Sequence, residues 1–461
     1  MRQVFGKLSY ESLTDFLYGT APKPVKCKNG MVIGGGEVYP EINFTLPPMP
    51  IEEKNFQEII AQYKEIVTGV LTRAAELHAP GVVVEVELLP PMTENPQWGL
   101  AVTETVLEIM DQFQQDQGLK SVLRLTPNDI REMRRPPLMR SGELWENMLA
   151  TFTYAAKAGA DFLAIESTGG KEVHDDALIN ADLAKVIFAL GVLGARDMEF
   201  LWGHIVDIAQ RYGSFASGDT ACGFGNTAMV LAEQGMIPKA FAAVVRVATV
   251  SRSLVAYEMG AVGPSKDCAY EGPYMKAIAG VPIAMEGKSS ACAHLSPVGN
   301  ITAAVADLWS NESVQNVKLL GGMAPVVSME QLIYDCRLLN QAQREGKDAA
   351  LTLQKWLVNS DSAYDPQAYV LRPDVVYTIS EKIVQEPEPF KRTKLAAQVA
   401  IDLLKNAVTT KEIRLAEREL RWLDLMQYQL DEIPDDALKF WEQLKPSLDT
   451  SKFIPSEYGL E

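Results

Sequence analysis

Histidine is scarce, with four residues in a chain of 461, and cysteine is nearly as rare. The 5 cysteines, Cys27, Cys222, Cys268, Cys292 and Cys336, are odd in number and widely spaced. That pattern excludes a disulfide scaffold and predicts reduced thiols. Basic charge is also in deficit: 43 Lys and Arg against 60 Asp and Glu give a formal net charge of −17. Nucleic acid is thereby excluded as the main partner, because a phosphate backbone wants a basic surface, and docking on anionic membranes is disfavoured. No apolar run reaches 18 residues, and the opening "MRQVFGKLSYESLTDFLYG" has no signal-peptide core. A soluble, cytoplasmic protein is the expectation. No G-x-G-x-x-G stands between the first clear strand and its helix, which weighs against a doubly wound dinucleotide-binding sheet.

What the chain does have is apolar material, 47% of its residues, arranged in alternating periods. Helical spacing covers 52–78, and "GVVVEVELL" (81–89) is a strand closed by Pro90 and Pro91. Helices over 99–117 and 143–160 then alternate with strands over 121–127 and 161–167. Helices at 176–192 and 197–211 follow, then a strand over 213–217. Residues 226–257 are helical with a break near Gly235–Pro238. Strands are expected at 257–263, 281–287 and 314–322, and helices at 270–279, 296–310 and 328–346. Such alternation means βα units and a parallel sheet. Seven strands can be counted, and an α/β eight-stranded TIM-type (β/α) barrel is the best fit, with one strand unplaced. Residues 1–50, with "CKNGMVIGGGEVYPEINFTLPPMP", are an N-terminal extension. Residues 51–349 make the barrel, and 350–461 a charged helical region packed on it.

A barrel puts its site at the C-terminal ends of its strands, and reactive residues fall there. Glu166 ends "FLAIE", Cys222 lies in "GDTACGFGNTA", and Cys268 lies in "GAVGPSKDCAY". Glu87 belongs to the first clear strand, and Asp219 and Asp267 stand close to the two cysteines. One carboxylate and two thiols from distant strand ends suit zinc, leaving a fourth position open. No C-x-x-C or H-E-x-x-H ties these residues together, so buried packing cysteines remain the alternative. Glycines follow at "STGGK" and "CGFGN", where a backbone can approach a ligand closely or simply end a strand.

Taken together, "FLAIESTGGKEVHDDAL", "GDTACGFGNTAM" and "GAVGPSKDCAYEGPYMKAI" resemble the zinc-containing catalytic subunit of methanol:corrinoid methyltransferases, the MtaB family. The resemblance spans nearly the whole chain, including "GGGEVYPEINFTLP". It implies a barrel whose zinc is held by Glu166, Cys222 and Cys268. It implies a small corrinoid protein as partner, carrying cobalamin over the barrel mouth, in a homo-oligomer or heterotetramer. It implies that zinc-activated methanol gives its methyl group to Co(I), making methyl-Co(III), in the metabolism of methanogens and acetogens. Asp219, Asp267 and Glu87 are the candidate proton donors, each equally suited to orienting a ligand or capping a turn. His174 and His294 are candidates to line the pocket, and Cys292 is a reserve ligand. His78, His204, Cys27 and Cys336 are expected to be structural.

Three other accounts fit the residues. A related enzyme could use a methylated amine or thiol. A noncatalytic subunit could hold a structural zinc closed by Cys292. A metal-free lyase or aldolase would need a lysine such as Lys266 or Lys288.

Overall fold

The computed structural model describes residues 2–460 except 47, 48, 269, 315–317 and 321. Seven strands form one curled, wholly parallel sheet: β1 (Tyr39–Thr45), β2 (Val82–Glu87), β3 (Ser121–Thr126), β4 (Phe162–Ile165), β5 (Phe215–Asp219), β6 (Ala284–Glu286) and β7 (Leu308–Val314). Their spatial order is β5-β4-β3-β2-β1-β7-β6. Helices follow most strands and cover the convex face. They include α1 (Phe56–Glu76), α2 (Pro96–Gln117), α3 (Glu143–Ala158), α4 (Lys171–Ile179), α5 (Ala195–Tyr212), α6 (Cys222–Glu233), α7 (Lys239–Glu258), α8 (Gly272–Ala279) and α9 (Ala324–Arg344).

The period of two along each strand sorts side chains between the faces. Outward go Ile42, Phe44, Val82, Val84, Val86, Leu123, Leu125, Leu163 and Ile165, all part of the large buried core with the helices. Each such side chain contributes about 1.5–3 kcal/mol by leaving water. Inward side chains change character with height. At the N-terminal end of the strands, Tyr39, Val83, Val122, Phe162, Ala284 and Leu308 form an apolar layer. It is sealed by Val25, Cys27, Met31 and Ile33 from a hairpin of Thr20–Lys26 and Val32–Gly35. One step higher lie Glu41, Glu85 and Arg124, all fully buried. Higher still come Asn43, Glu87, Thr126 and Glu166, at the C-terminal end.

Several expectations change here. Tyr39–Thr45, read as part of an extension, pairs with both β2 and β7. The helix expected at 296–310 is a short 3-10 turn, Ile301–Val305, followed by β7. Its apolar "ITAAVADLW" fits either state, and the parallel pairing with β1 decides it. The strand expected at 314–322 is largely replaced: β7 ends at Val314, Lys318–Leu319 pairs with Gly322–Met323 in a small hairpin, and 315–317 and 321 lie outside the described residues. The strand expected at 257–263 begins inside α7. Beyond it, Val262 and Gly263 donate to the Ala216 and Ser217 carbonyls of β5 (2.8 Å each), and Ser265 donates to that of Pro282 before β6 (3.2 Å). The stretch 261–265 thus bridges the two edge strands.

Helix α7 is long and apolar enough, by length and composition, to cross a membrane, yet it is buried inside the molecule. Helices Pro389–Thr409 and Glu417–Asp431 of the C-terminal region pack against it.

Candidate metal centre

Three βα connections converge at the C-terminal end of the sheet. Glu166 follows β4, Cys222 is the first residue of α6 after β5, and Cys268 lies in the connection after 261–265. One ligand atom from each lies within 4.8 Å of the other two. The Cys268 thiol donates to Glu166 Oε1 at 3.5 Å. Asn226 Nδ2 donates to Cys222 Sγ at 3.2 Å, one helical turn along α6. Cys222 also sits at the positive end of α6, which favours a thiolate. Cys268 has φ 44, a left-handed backbone that a non-glycine residue adopts at a cost of roughly 1–3 kcal/mol. Strain of that kind collects where a side chain must be aimed.

In the metal-free protein the thiols keep their protons. The hydrogen bond with Cys268 favours the Cys222 thiolate, but burial and the Glu166 charge outweigh it and push Cys222 up to about 11. The same hydrogen bond raises Cys268, and burial raises it further. A cation bound here would displace those protons.

The surrounding shell is charged and buried. Asp219 Oδ1 accepts from the Ser167 and Thr220 amides (3.1 and 2.8 Å). Its Oδ2 accepts from Ser167 Oγ and Trp202 Nε1 (2.7 and 2.9 Å). Asp219 therefore ties the Glu166 connection to the Cys222 connection. Arg252, from the apolar α7, reaches the Ser167 carbonyl at 2.7 Å and the Thr220 carbonyl at 3.4 Å. Glu271 accepts from the Ala221 amide at 2.7 Å. Lys266 is fully buried among carboxylates: it pairs with Glu87 and Asp267, and lies 3.2 Å from Glu85 and 3.3 Å from Glu166. Burial works to raise the Asp267 carboxyl, but Lys266 outweighs it and holds the group below its usual range. Asp267 Oδ2 accepts from Asn43 at 2.9 Å.

Glu87 differs from the two aspartates. With Thr45, Thr126, Asp129, Glu166 and Thr168 it lines a cavity of about 170 Å³. Oε1 is held by Asn43 (2.9 Å) and by Lys266. Among the described residues no hydrogen bond engages Oε2. Burial pushes the Glu87 carboxyl up to about 8 despite Lys266. Two larger grooves, of about 580 and 520 Å³, lie against the N-terminal segment and contain none of Glu166, Cys222 and Cys268.

The remaining candidates disperse. His174 is buried in α4 against Phe224, with ring centroids 5.0 Å apart. His204 packs on Trp145 and Phe200. His294 meets Glu312 and Glu286. Cys292 is exposed and joins no ligand cluster among the described residues. Lys288 pairs with Asp335 at the surface, and Lys266 is too enclosed by carboxylates to act as a free amine nucleophile. Arg252, Glu271, Lys266 and Asn226 were not singled out as supports from sequence. Arg246, Arg252 and Glu258 inside the otherwise apolar α7 were the available signal, since such charges are buried only when paired.

Gly169 explains how the Glu166 connection fits. A Cβ there would stand 2.4 Å from the Asp197 side chain, which is locked by Arg131 (2.9 Å). Gly169→Ala is expected to destabilise the protein by about 1–3 kcal/mol and to lower metal content, measured by denaturant unfolding and metal analysis. Wild-type values for both would show that the connection has slack.

The model of the methanol-cobalamin methyltransferase B subunit family matches residues 2–459. The methanol–corrinoid protein co-methyltransferase of Methanosarcina barkeri (strain Fusaro / DSM 804) is 36% identical over 99% of this chain and 99% of its own. The crystal structure of the methanol:cobalamin methyltransferase complex MtaBC from Methanosarcina barkeri contains a chain with TM-score 0.93 and 34% identity. That match covers 99% of this chain and 100% of that one.

Proposed function

The chain belongs to the methanol-cobalamin methyltransferase B subunit family and is a methanol:corrinoid protein methyltransferase; from that premise we propose that Glu166, Cys222 and Cys268 hold a zinc ion at the head of the cavity. The observation that carries the reading is the meeting of two thiols and a carboxylate, from three separate connections, within 4.8 Å. Two sulfurs favour zinc over magnesium or calcium, and three protein ligands leave a position for substrate. Zinc there supplies Lewis acidity at the methanol oxygen, where the difficulty of the reaction lies because hydroxide is a poor leaving group.

The chain's own residues do the rest. Asp219, Arg252 and Glu271 fix the Glu166 and Cys222 connections relative to one another, and Asn226 orients the Cys222 sulfur. These are positioning roles. Asp267 and Lys266 neutralise one another and hold Glu87 at the cavity wall. Co(I) of a corrinoid, carried by a small partner protein, takes the methyl group from the side away from oxygen. The C–O bond breaks, its electron pair stays on oxygen, and a proton from Glu87 Oε2 completes a water molecule. Asp219, with both oxygens engaged by donors, is poorly placed to give that proton.

The same reading has 261–265 closing the curled sheet into an eight-staved barrel between β5 and β6. The corrinoid protein docks over the C-terminal mouth in an oligomeric complex, in a cytoplasmic setting where the thiols stay reduced.

Glu87→Gln is expected to keep its zinc and to slow methyl transfer from methanol to Co(I) by roughly 10²–10⁴-fold, the usual contribution of a positioned acid. The visible absorption change from Co(I) to methyl-Co(III) reports the rate. An unchanged rate at full zinc content would remove Glu87 from the reaction.

A further inference from the structure

The concave face carries a second group of ligand atoms outside the thiolate centre. Glu286 ends β6 and points inward. Glu312 points inward from β7, one inward position beyond Ser310, the register partner of Glu286. His294 follows the short helix Lys288–Ala293 that connects the two strands. Its Nε2 lies 3.1 Å from Glu312 Oε2 and 3.5 Å from Glu286 Oε1, and one atom from each residue falls within 4.8 Å of the others.

We propose that Glu286, His294 and Glu312 form a second cation site, distinct from the thiolate centre, that takes a first-row divalent ion such as Mn²⁺, Fe²⁺ or Zn²⁺. The spacing is the first support. Metal–ligand bonds of about 2.1 Å at octahedral or tetrahedral angles put neighbouring ligand atoms roughly 3.0–3.4 Å apart. The two measured separations are close to that. The second support is independent of the cluster's composition. Glu286 is fully buried, its Oε2 accepts from the Tyr270 hydroxyl at 2.6 Å, and among the described residues its Oε1 has no hydrogen-bond partner. A buried carboxylate oxygen without a donor is expensive and rare, and this one faces His294. His294 and Glu312 are about a third exposed, which opens an entry path. The nearest lysine on the connecting helix, Lys288, is directed to Asp335. In the metal-free protein a proton serves in the cation's place: the hydrogen bond to Glu312 raises His294 to about 9. One imidazole and two carboxylates without sulfur set the class of ion.

Glu286 also falls in a cluster with Asp267 and Cys268, so the test must separate the two centres. The purified protein is dialysed against excess Mn²⁺, which avoids thiolates, and freed of unbound ion by gel filtration. All metals are then counted on the folded fraction. Wild type is expected to hold one more divalent ion per chain than either His294→Ala or Glu312→Gln. Loss of the six-line Mn²⁺ resonance on titration should show an affinity weakened beyond the roughly 10–100-fold typical of removing a second-shell partner. Cys222→Ala should bind Mn²⁺ as wild type does, whether or not the thiolate centre holds zinc. Equal metal counts in wild type and either variant, or loss of Mn²⁺ binding in Cys222→Ala, would overturn the second site.

Discussion

Cys222→Ala is expected to fold, to lose most of its zinc and to lose methyl transfer by about three orders of magnitude or more. Cys222 is the first residue of α6 and only half-buried. Its sulfur accepts a hydrogen bond from Asn226 at 3.2 Å and shares another with Cys268. Removing it empties little packed volume, so the stability change should stay within the ordinary range of a small truncation. The effect on metal is of another size. Only Glu166 and Cys268 of the set remain; the side chains that cluster with Cys268 are the carboxylates Asp267 and Glu286, harder ligands than the lost sulfur, and Cys292 is exposed and joins no ligand cluster among the described residues. A Lewis acid contributes several kcal/mol at the leaving oxygen, and each 1.36 kcal/mol is a factor of about ten in rate. Metal analysis, circular dichroism and the Co(I) methylation assay together check the outcome. A folded variant with full zinc content would take Cys222 out of the ligand set.

The second large effect is on stability. Arg124→Met is expected to cost about 3–5 kcal/mol, the usual penalty for stripping one partner from a buried ion pair. Arg124 is wholly enclosed by the sheet. Its Nε donates to Glu41 at 2.8 Å, and Nη1 donates to Ser217 Oγ and to the carbonyls of Pro264 and Ser265 at 3.1, 3.1 and 2.7 Å. Methionine matches the length but leaves Glu41 and two carbonyls without their cation, and Glu85 with Lys266 alone. It also frees 261–265, the stretch that leads into Lys266 and Cys268, so zinc affinity should fall with stability. The double variant Glu41→Gln/Arg124→Met should recover part of the loss, because the two groups are coupled. Denaturant unfolding measures both. A single variant within about 0.5 kcal/mol of wild type would show that the buried layer is not held by Arg124.

The site's raw material was legible because its residue types are rare. Five cysteines and four histidines leave few ways to build a soft metal site, and Glu166, Cys222 and Cys268 each follow an apolar strand or a glycine-containing turn. The sheet was legible where both faces are apolar, as at Val82–Val84. It was obscured where the concave face is charged. "YPEINFT" alternates like a half-exposed strand, yet every residue from Tyr39 to Phe44 is buried. Its polar set faces Arg124 and Asp267 rather than water. Nothing local distinguishes an inward Glu41 from a solvated one; only closure of the sheet around Arg124 does. The same holds for Glu286 and Glu312, whose common face follows from the β6–β7 register. Helix α7 carried the opposite clue. Arg246, Arg252 and Glu258 interrupt an apolar run, and all three are buried with partners.

The central claim is that Glu166, Cys222 and Cys268 hold zinc with a position left for the substrate oxygen. Zinc-edge X-ray absorption on wild-type protein carrying one zinc per chain, with and without methanol, tests it most directly. The expected shell has two sulfur scatterers at about 2.3 Å and light-atom ligands at roughly 2.0–2.2 Å, with the light-atom part of the shell changing on saturation with methanol. Four protein ligands that do not respond to methanol, in protein still able to methylate Co(I), would contradict it.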